Sequence, residues 1–239
     1  MQQAALLALL VAQLGLRVAG VPSLASRLLP LGDGAPFLVW AGRLWLSFGL
    51  PALGALWLLG RLDALRAVPP ELAEAAALAR TWGPFAPGPI LQGLLLGSVL
   101  GALFGWWRRR RGRRPVHIGR PPRLPARWRE LPAGAALAVS AGVAEELYFR
   151  LLLPMLVAGV TGSALLGIGV AAAAFGALHR YQGWVGVAAT GVVGLFLQLV
   201  HLASGQLWLA MACHFVIDLN GLVVRPAIAF STHPSSPRA

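Results

Sequence analysis

The stretch AEELYFRLLLP, Ala144–Pro154, places Glu145, Glu146 and Arg150 inside one of the most apolar parts of the chain. An almost wholly apolar run, Ala135–Val143, precedes it, and Leu151–Leu153 follow the arginine. A charge at the centre of a membrane-spanning helix costs about 2.5–3.5 kcal/mol on the insertion scale, so each of these groups needs a partner or a wet cavity. Glu146 and Arg150 are four residues apart, share one helical face, and can pair directly. Glu145 is turned by about 100° from Glu146 and is left without that partner. An ion pair that ties helices together accounts for Glu146 and Arg150, and leaves Glu145 unexplained.

Composition sets the solvent. The chain has 239 residues, 57% hydrophobic and 12% charged, with mean hydropathy +0.70. Soluble domains are typically about half apolar and about a quarter charged. The expected fold class is all-α, a polytopic transmembrane helical bundle forming a single integral membrane domain over residues 1–239. Apolar runs at 4–20, 36–60, 88–107, 133–160, 162–182, 184–203 and 205–224 predict about seven spans. The run 133–160 is too long for one straight crossing at about 1.5 Å per residue, which predicts tilt, a protruding end or a bend near Pro154. The N-terminal run has no basic leader and reads as a retained span. With one cysteine, Cys213, no internal disulfide can form. Residues Pro70–Arg80 read as a short amphipathic interfacial helix with Glu71 and Glu74 in its first turn.

Two features lie in the first half. Gly93, Gly97, Gly101 and Gly105 form a stripe of the kind that lets membrane helices pack closely. From Arg108 to Glu130 the chain carries ten of its twenty basic residues, all arginine: 108, 109, 110, 111, 113, 114, 120, 123, 127 and 129. Positive loops stay cytoplasmic, so loop 108–130 and the C-terminus are expected in the cytoplasm of a multi-pass cell-membrane protein. The Arg108–Arg129 loop suits anionic lipid headgroups. No recognition fold surrounds it, so no nucleic-acid partner is expected.

Other polar groups also sit in apolar helices. His179 ends the run AAAAFGALH, and His214 and Asp218 lie four apart in AMACHFVIDLNG. A single intramembrane histidine is usually a hydrogen-bonding tie between helices. Together these groups are two histidines and two or three carboxylates on three separate apolar helices, and all are expelled from lipid. If the helices pack together, their polar faces converge into an inventory for water activation, metal binding or proton relay. His117, His201 and His233 read as solvent or interface residues.

Three motifs occur in order on successive apolar runs. EELYFR (Glu145–Arg150) fits Glu-Glu-x-x-x-Arg, FGALH (Phe175–His179) fits Phe-x-x-x-His, and HFVID (His214–Asp218) fits His-x-x-x-Asn/Asp. Over about residues 130–222 the chain resembles the CPBP family of intramembrane proteases, which includes the CAAX prenyl endopeptidases and bacteriocin-processing relatives. The resemblance implies an intramembrane, glutamate-dependent endopeptidase acting on a peptide or protein substrate at the bilayer, with no cofactor. It implies that Glu145 and His179 activate a water and that His214 and Asp218 stabilise the oxyanion, with Glu146, Arg150 and Phe175 in supporting roles. Family members often carry Asn where this chain has Asp218. An ionised Asp accepts a hydrogen bond from His214 and fixes its tautomer, and only a protonated one donates to an oxyanion. Asn220 faces elsewhere on the helix.

Two other readings use the same residues. Glu145, His179 and His214 are plausible Zn²⁺ ligands of a metalloprotease, although the His-Glu-x-x-His helix motif is absent. Alternatively, the cluster serves packing or partner binding in a non-catalytic immunity or scaffold protein. A proton-coupled transporter is weaker, because no matched pair of interrupted helices supports it.

Overall fold

A computed structural model describes residues 1–29, 36–83, 85–113, 119 and 123–232. It is 85% helical, and no strand occurs among the described residues. The helices are α1 (Gln2–Val18), α2 (Leu24–Leu28), α3 (Pro36–Leu58), α4 (Ala73–Arg80), α5 (Pro87–Arg110), α6 (131–161), α7 (Ala164–Leu178), α8 (Gly183–Ser204) and α9 (Leu207–Thr232). All seven apolar runs are helical. By length and composition α3, α5, α8 and α9 can each cross a membrane; α1 and α7 are shorter apolar helices. The expected all-α membrane bundle is therefore present.

Successive long helices alternate in direction. Near the end of α6, Gly159 lies so close to the start of α1 that a Cβ there would come within 2.8 Å of Gln3 Oε1. The start of α6 meets the far part of α9, where a Cβ on Gly134 would lie 3.1 Å from the Leu222 carbonyl. Gly119, in the arginine loop, sits against the Gln182 carbonyl at the entrance to α8. One end of the bundle thus gathers the arginine loop, the start of α6 and the entrance to α8. The opposite end gathers α4, whose Leu72-side face packs on Ala158, Ala164 and Leu202. The expected interfacial helix over Pro70–Arg80 is a 3₁₀ turn, Pro70–Leu72, running into α4. Its Glu71 grips Arg61 through two hydrogen bonds, 2.5 and 2.8 Å long.

The long α6 runs unbroken through Pro154, with one local change. Residues Leu147–Leu152 form a π-helical turn directly before the proline-bearing segment. The same sequence of events occurs in α3, with a π turn at Trp45–Gly49 before Pro51, and in α9, with one at Asn220–Val224 before Pro226. A proline inside a helix lacks an N–H and crowds the carbonyl four residues back, and a widened turn relieves that crowding. The local feature found at Pro154, where the length of the run predicted tilt, a protruding end or a bend, is this widened turn. In α6 the carbonyl that loses its regular donor is that of Arg150. Gln198 Nε2 on α8 donates to it at 3.3 Å, and the buried His201 lies one turn further along the same face of α8.

The main apolar core surrounds the π turn of α6. Tyr148, Phe149, Leu151 and Leu152 are fully buried there, against Phe48 and Leu56 of α3, Leu10 and Leu14 of α1, and Phe175 of α7. Two sequence expectations need correction. His201, read as a solvent or interface residue, is 1% exposed, because it shares a helical face with the buried Leu197, Gln198 and Leu202. Among the described residues the glycine stripe of α5 makes no close contact, and Gly93 and Gly97 line a cavity shared with Ile217, Asn220 and Gly221 of α9. A Cβ on any of Gly93, Gly97, Gly101 or Gly105 would meet no atom within 4 Å. Helix α5 packs through Ile90, Leu91 and Leu94 on Leu197 and Val200 of α8 and Leu209 and Ala210 of α9. His117, His233, Arg114 and Arg120 lie outside the described residues.

Candidate active site

Helices α6 and α9 approach closely at Gly142, where a Cβ would lie 2.9 Å from the Met211 carbonyl and 3.1 Å from the Phe215 amide nitrogen. One turn further along each helix, this contact brings the polar groups together. His214 Nδ1 is 2.8 Å from Glu146 Oε1. Its Nε2 is 3.8 Å from Glu145 Oε2 and 3.6 Å from Asp218 Oδ2. The two adjacent glutamates therefore address opposite nitrogens of one imidazole. Glu145 is not the solitary charge that the sequence implies, because its partner comes from another helix.

Glu146 is also the i,i+4 partner of Arg150, with Nε to Oε2 at 3.1 Å, and the two side chains are 0% and 1% exposed. The guanidinium carbon lies 4.4 Å from the centre of the Phe175 ring. Gly194 of α8 completes this layer, since a Cβ there would lie 3.1 Å from Phe175 and 3.6 Å from Arg150 Nη2. Phe175 in turn borders both histidines, with ring centroids 4.8 Å from His179 and 6.0 Å from His214. The expected supporting residues Glu146, Arg150 and Phe175 thus form a buried floor beneath the imidazoles.

His179 closes α7. Its Nδ1 is 2.8 Å from the Phe175 carbonyl, so a proton on Nδ1 donates there and leaves Nε2 as a free base. Among the described residues no contact of 4.0 Å or less joins His179 to Glu145. The charges that act on it come from Asp218, His214 and Arg150. Asp218 is partly accessible, its side chain 32% exposed. The cluster therefore has a sealed side at Glu146 and Arg150 and an open side at Asp218 and His179.

Three further residues belong to this neighbourhood and were not singled out by motif reading. Gln198 secures the Arg150 carbonyl, and His201 is buried one turn along the same face of α8. Arg17 of α1 stands over the Phe48 ring at 4.8 Å, and its charge is within electrostatic reach of Glu145. The signal for Gln198 and His201 was their three-residue spacing on an apolar helix. For Arg17 it was a lone charge in an apolar run, like that at Arg150. Among the described residues, no three His, Cys, Asp or Glu side chains are grouped closely enough to hold a metal ion.

Residues 127–220 match the family model described as Type II CAAX prenyl endopeptidase Rce1-like. No curated protein and no solved structure matches the chain. The matched segment contains Glu145, Glu146, Arg150, Phe175, His179, His214 and Asp218, every member of the cluster built above. A CAAX-type protease domain and several helices able to span a bilayer describe a multi-pass membrane protease in contact with both substrate and lipid. On this match, the helical core over residues 127–220 is similar to the Rce1-like CAAX proteases.

Proposed function

We propose that the chain is an intramembrane endopeptidase that hydrolyses a peptide bond with a water activated by Glu145 and His179. The observation that carries this reading is the convergence of Glu145, Glu146 and Asp218 on the single imidazole of His214, in an otherwise apolar bundle. A carboxylate beside an imidazole in a dry site is poised for proton transfer. Glu145 takes a proton from the water as its oxygen attacks the scissile carbonyl, and returns that proton to the leaving amine. Glu146 holds His214 through Nδ1, so Nε2 is fixed in direction toward the reacting side. When protonated, Nε2–H donates to the tetrahedral oxyanion, an interaction strongest where water is excluded. Asp218, 3.6 Å from Nε2, orients and balances that proton. His179, with Nδ1 tied to Phe175, offers Nε2 to the water. No metal takes part in these steps.

The family description extends the reading to a prenylated peptide as substrate. The arginine loop and the C-terminus face the cytoplasm, and loop arginines meet anionic lipid. Accessibility of single cysteines placed in loops 61–86 and 108–130, on a Cys213→Ala background, tests the orientation. The expected labelling from outside is confined to 61–86.

Activity of purified protein in neutral-lipid nanodiscs tests the chemistry. Glu145→Gln is expected to retain the fold and lower kcat by about 10²–10⁴-fold. A fully active Glu145→Gln protein sinks the mechanism. Activity that is lost to a chelator and restored by zinc moves the case to the metalloprotease reading. Intact biological function with all four reacting residues replaced moves it to the immunity or scaffold reading.

A further inference from the structure

Three prolines lie in the interior of long helices, and each frees the backbone carbonyl four residues before it. The freed carbonyls are Ser47 before Pro51, Arg150 before Pro154 and Leu222 before Pro226, and each sits within a π turn. For two of the three, a glutamine side chain on another helix supplies the donor. Gln13 Nε2 of α1 donates to the Ser47 carbonyl at 2.9 Å. Gln198 Nε2 of α8 donates to the Arg150 carbonyl at 3.3 Å. Gln198 is 3% exposed, and an amide in an apolar bundle is costly unless it is bonded. The Leu222 carbonyl instead faces Gly134, where a Cβ would lie 3.1 Å away.

The two glutamine-held turns pack on each other around the paired glutamates. In the α3 turn, a Cβ on Gly49 would lie 3.2 Å from the Cβ of Ala144, the residue before Glu145. Phe48, next to it, has its ring centre 5.2 Å from those of both Tyr148 and Phe149, just past Glu146. The α6 turn starts at Leu147, directly after Glu146. Its Arg150 holds Glu146 Oε2 at 3.1 Å, and Glu146 Oε1 lies 2.8 Å from His214 Nδ1. An unbroken path of contacts therefore runs from Gln198 through Arg150 and Glu146 to the imidazole.

A π turn holds one residue more than a regular turn, so it is a defect that can migrate. Each residue it passes is turned by about 100°. Migration toward Glu146 and Glu145 swings their carboxylates away from the two nitrogens of His214. Anchoring the Arg150 carbonyl fixes the turn in place, and the α3 turn braces Ala144 against the same movement. We propose that Gln198, assisted by Gln13, is a positioning residue for the reaction, holding two packed π turns so that the paired glutamates stay aimed at His214. The proposal rests on the endopeptidase reading above. Neither glutamine belongs to the three motifs, and Gln13 lies outside the matched segment 127–220.

Methionine matches glutamine closely in length and volume but lacks its amide, so Gln198→Met and Gln13→Met remove the donor and little else. Kinetics are read with one prenylated peptide in neutral-lipid nanodiscs, with kcat normalised to the fraction of protein that binds it. Gln198→Met is expected to lower kcat about 10- to 100-fold with KM within about twofold of the parent, the scale of a misplacement of about 1 Å. Gln13→Met is expected to give a smaller loss of the same kind. Pro154→Ala returns a backbone N–H to the Arg150 carbonyl, and is expected to restore part of the kcat lost in Gln198→Met; Pro51→Ala is expected to do the same for Gln13→Met. Leu72→Ala truncates the core at the far end of the bundle, and is expected to lower stability while keeping the parent kcat. ¹⁵N NMR of labelled histidine, with the His214 signal assigned by its loss in His214→Gln, reads the aim without turnover. That signal is expected to move in Gln198→Met and to return when Pro154→Ala is added. A parent-like kcat in Gln198→Met overturns the proposal. So does a kcat loss with an unmoved His214 signal, with no rescue by Pro154→Ala, or equalled in Leu72→Ala, each of which marks a role in packing alone. If the parent cleaves no peptide but the His214 signal still moves and returns, the endopeptidase reading falls and the positioning contact stands.

Discussion

Glu145 and Glu146 are neighbours with different surroundings, and substitution separates them. Glu146 is wholly buried and is held by Arg150 on its own helix and His214 on another. Removing one partner of a buried pair leaves an uncompensated charge and costs about 3–5 kcal/mol. Arg150→Met is therefore expected to lower the thermal unfolding midpoint sharply in detergent, and the double change Glu146→Leu with Arg150→Met to recover part of the loss. Glu145→Gln leaves the floor intact, so its unfolding midpoint is expected to match the parent while cleavage is lost. A Glu145→Gln protein as unstable as Arg150→Met contradicts this division. The sequence exposes the Glu146–Arg150 pair because four-residue spacing is a helical constant. It cannot expose the His214 contact, which spans 68 residues and depends on which helices meet.

At the scale of the helix, each π turn is followed by a proline, and the one in α6 carries Arg150. The Arg150 carbonyl loses its regular donor at Pro154 and accepts from the Gln198 side chain instead, with His201 buried on the same face of α8. Replacing Gln198 by Leu strands a buried carbonyl, at about 1–3 kcal/mol. Pro154→Ala restores a backbone N–H and is expected to offset part of that loss, a coupling readable in a double-mutant cycle of unfolding midpoints. Strict additivity refutes the link. Between α6 and α9 the spacing is set at Gly142. Gly142→Leu forces the backbones apart against the Met211 carbonyl, with an expected cost of about 1–3 kcal/mol and loss of cleavage as His214 is drawn from the glutamates. A stable, fully active Gly142→Leu protein contradicts that account.

Across the whole molecule, one exposed-end clamp complements the buried cluster. Arg61 and Glu71 tie the α3 exit to the α4 entrance, far from the arginine loop. The Arg61 guanidinium holds the Glu71 carboxyl below its usual range, mainly through their hydrogen bonds. A carboxyl whose folded pKa is depressed stabilises the fold above its unfolded pKa, about 4.3. That contribution disappears as pH falls through the lower, folded value. The parent is therefore expected to exceed Glu71→Gln in unfolding midpoint at pH 7, by an amount worth about 1 kcal/mol or less, and to lose the advantage at acid pH. An advantage that persists well below pH 4 refutes the ion pair as its source.

Period and composition determined much of this protein. Apolar runs long enough for helices dictated an all-α bundle, because backbone groups in lipid must be satisfied within a segment. Intramembrane charge marked Glu145, Glu146, Arg150, His179, His214 and Asp218, because no such group survives in lipid without a partner. Tertiary structure decided the rest. It buried His201, which local pattern placed at an interface. It left the α5 glycines unpacked, since spacing marks a smooth helix face without saying what lies against it. It joined Glu145 to His214 in direct proximity, where the motifs alone pair it with His179. It also brought the side chains of Gln13 and Gln198, from two other helices, to the carbonyls freed by Pro51 and Pro154. Each of these depends on which helix faces meet, a relation between distant parts of the chain that no local spacing encodes.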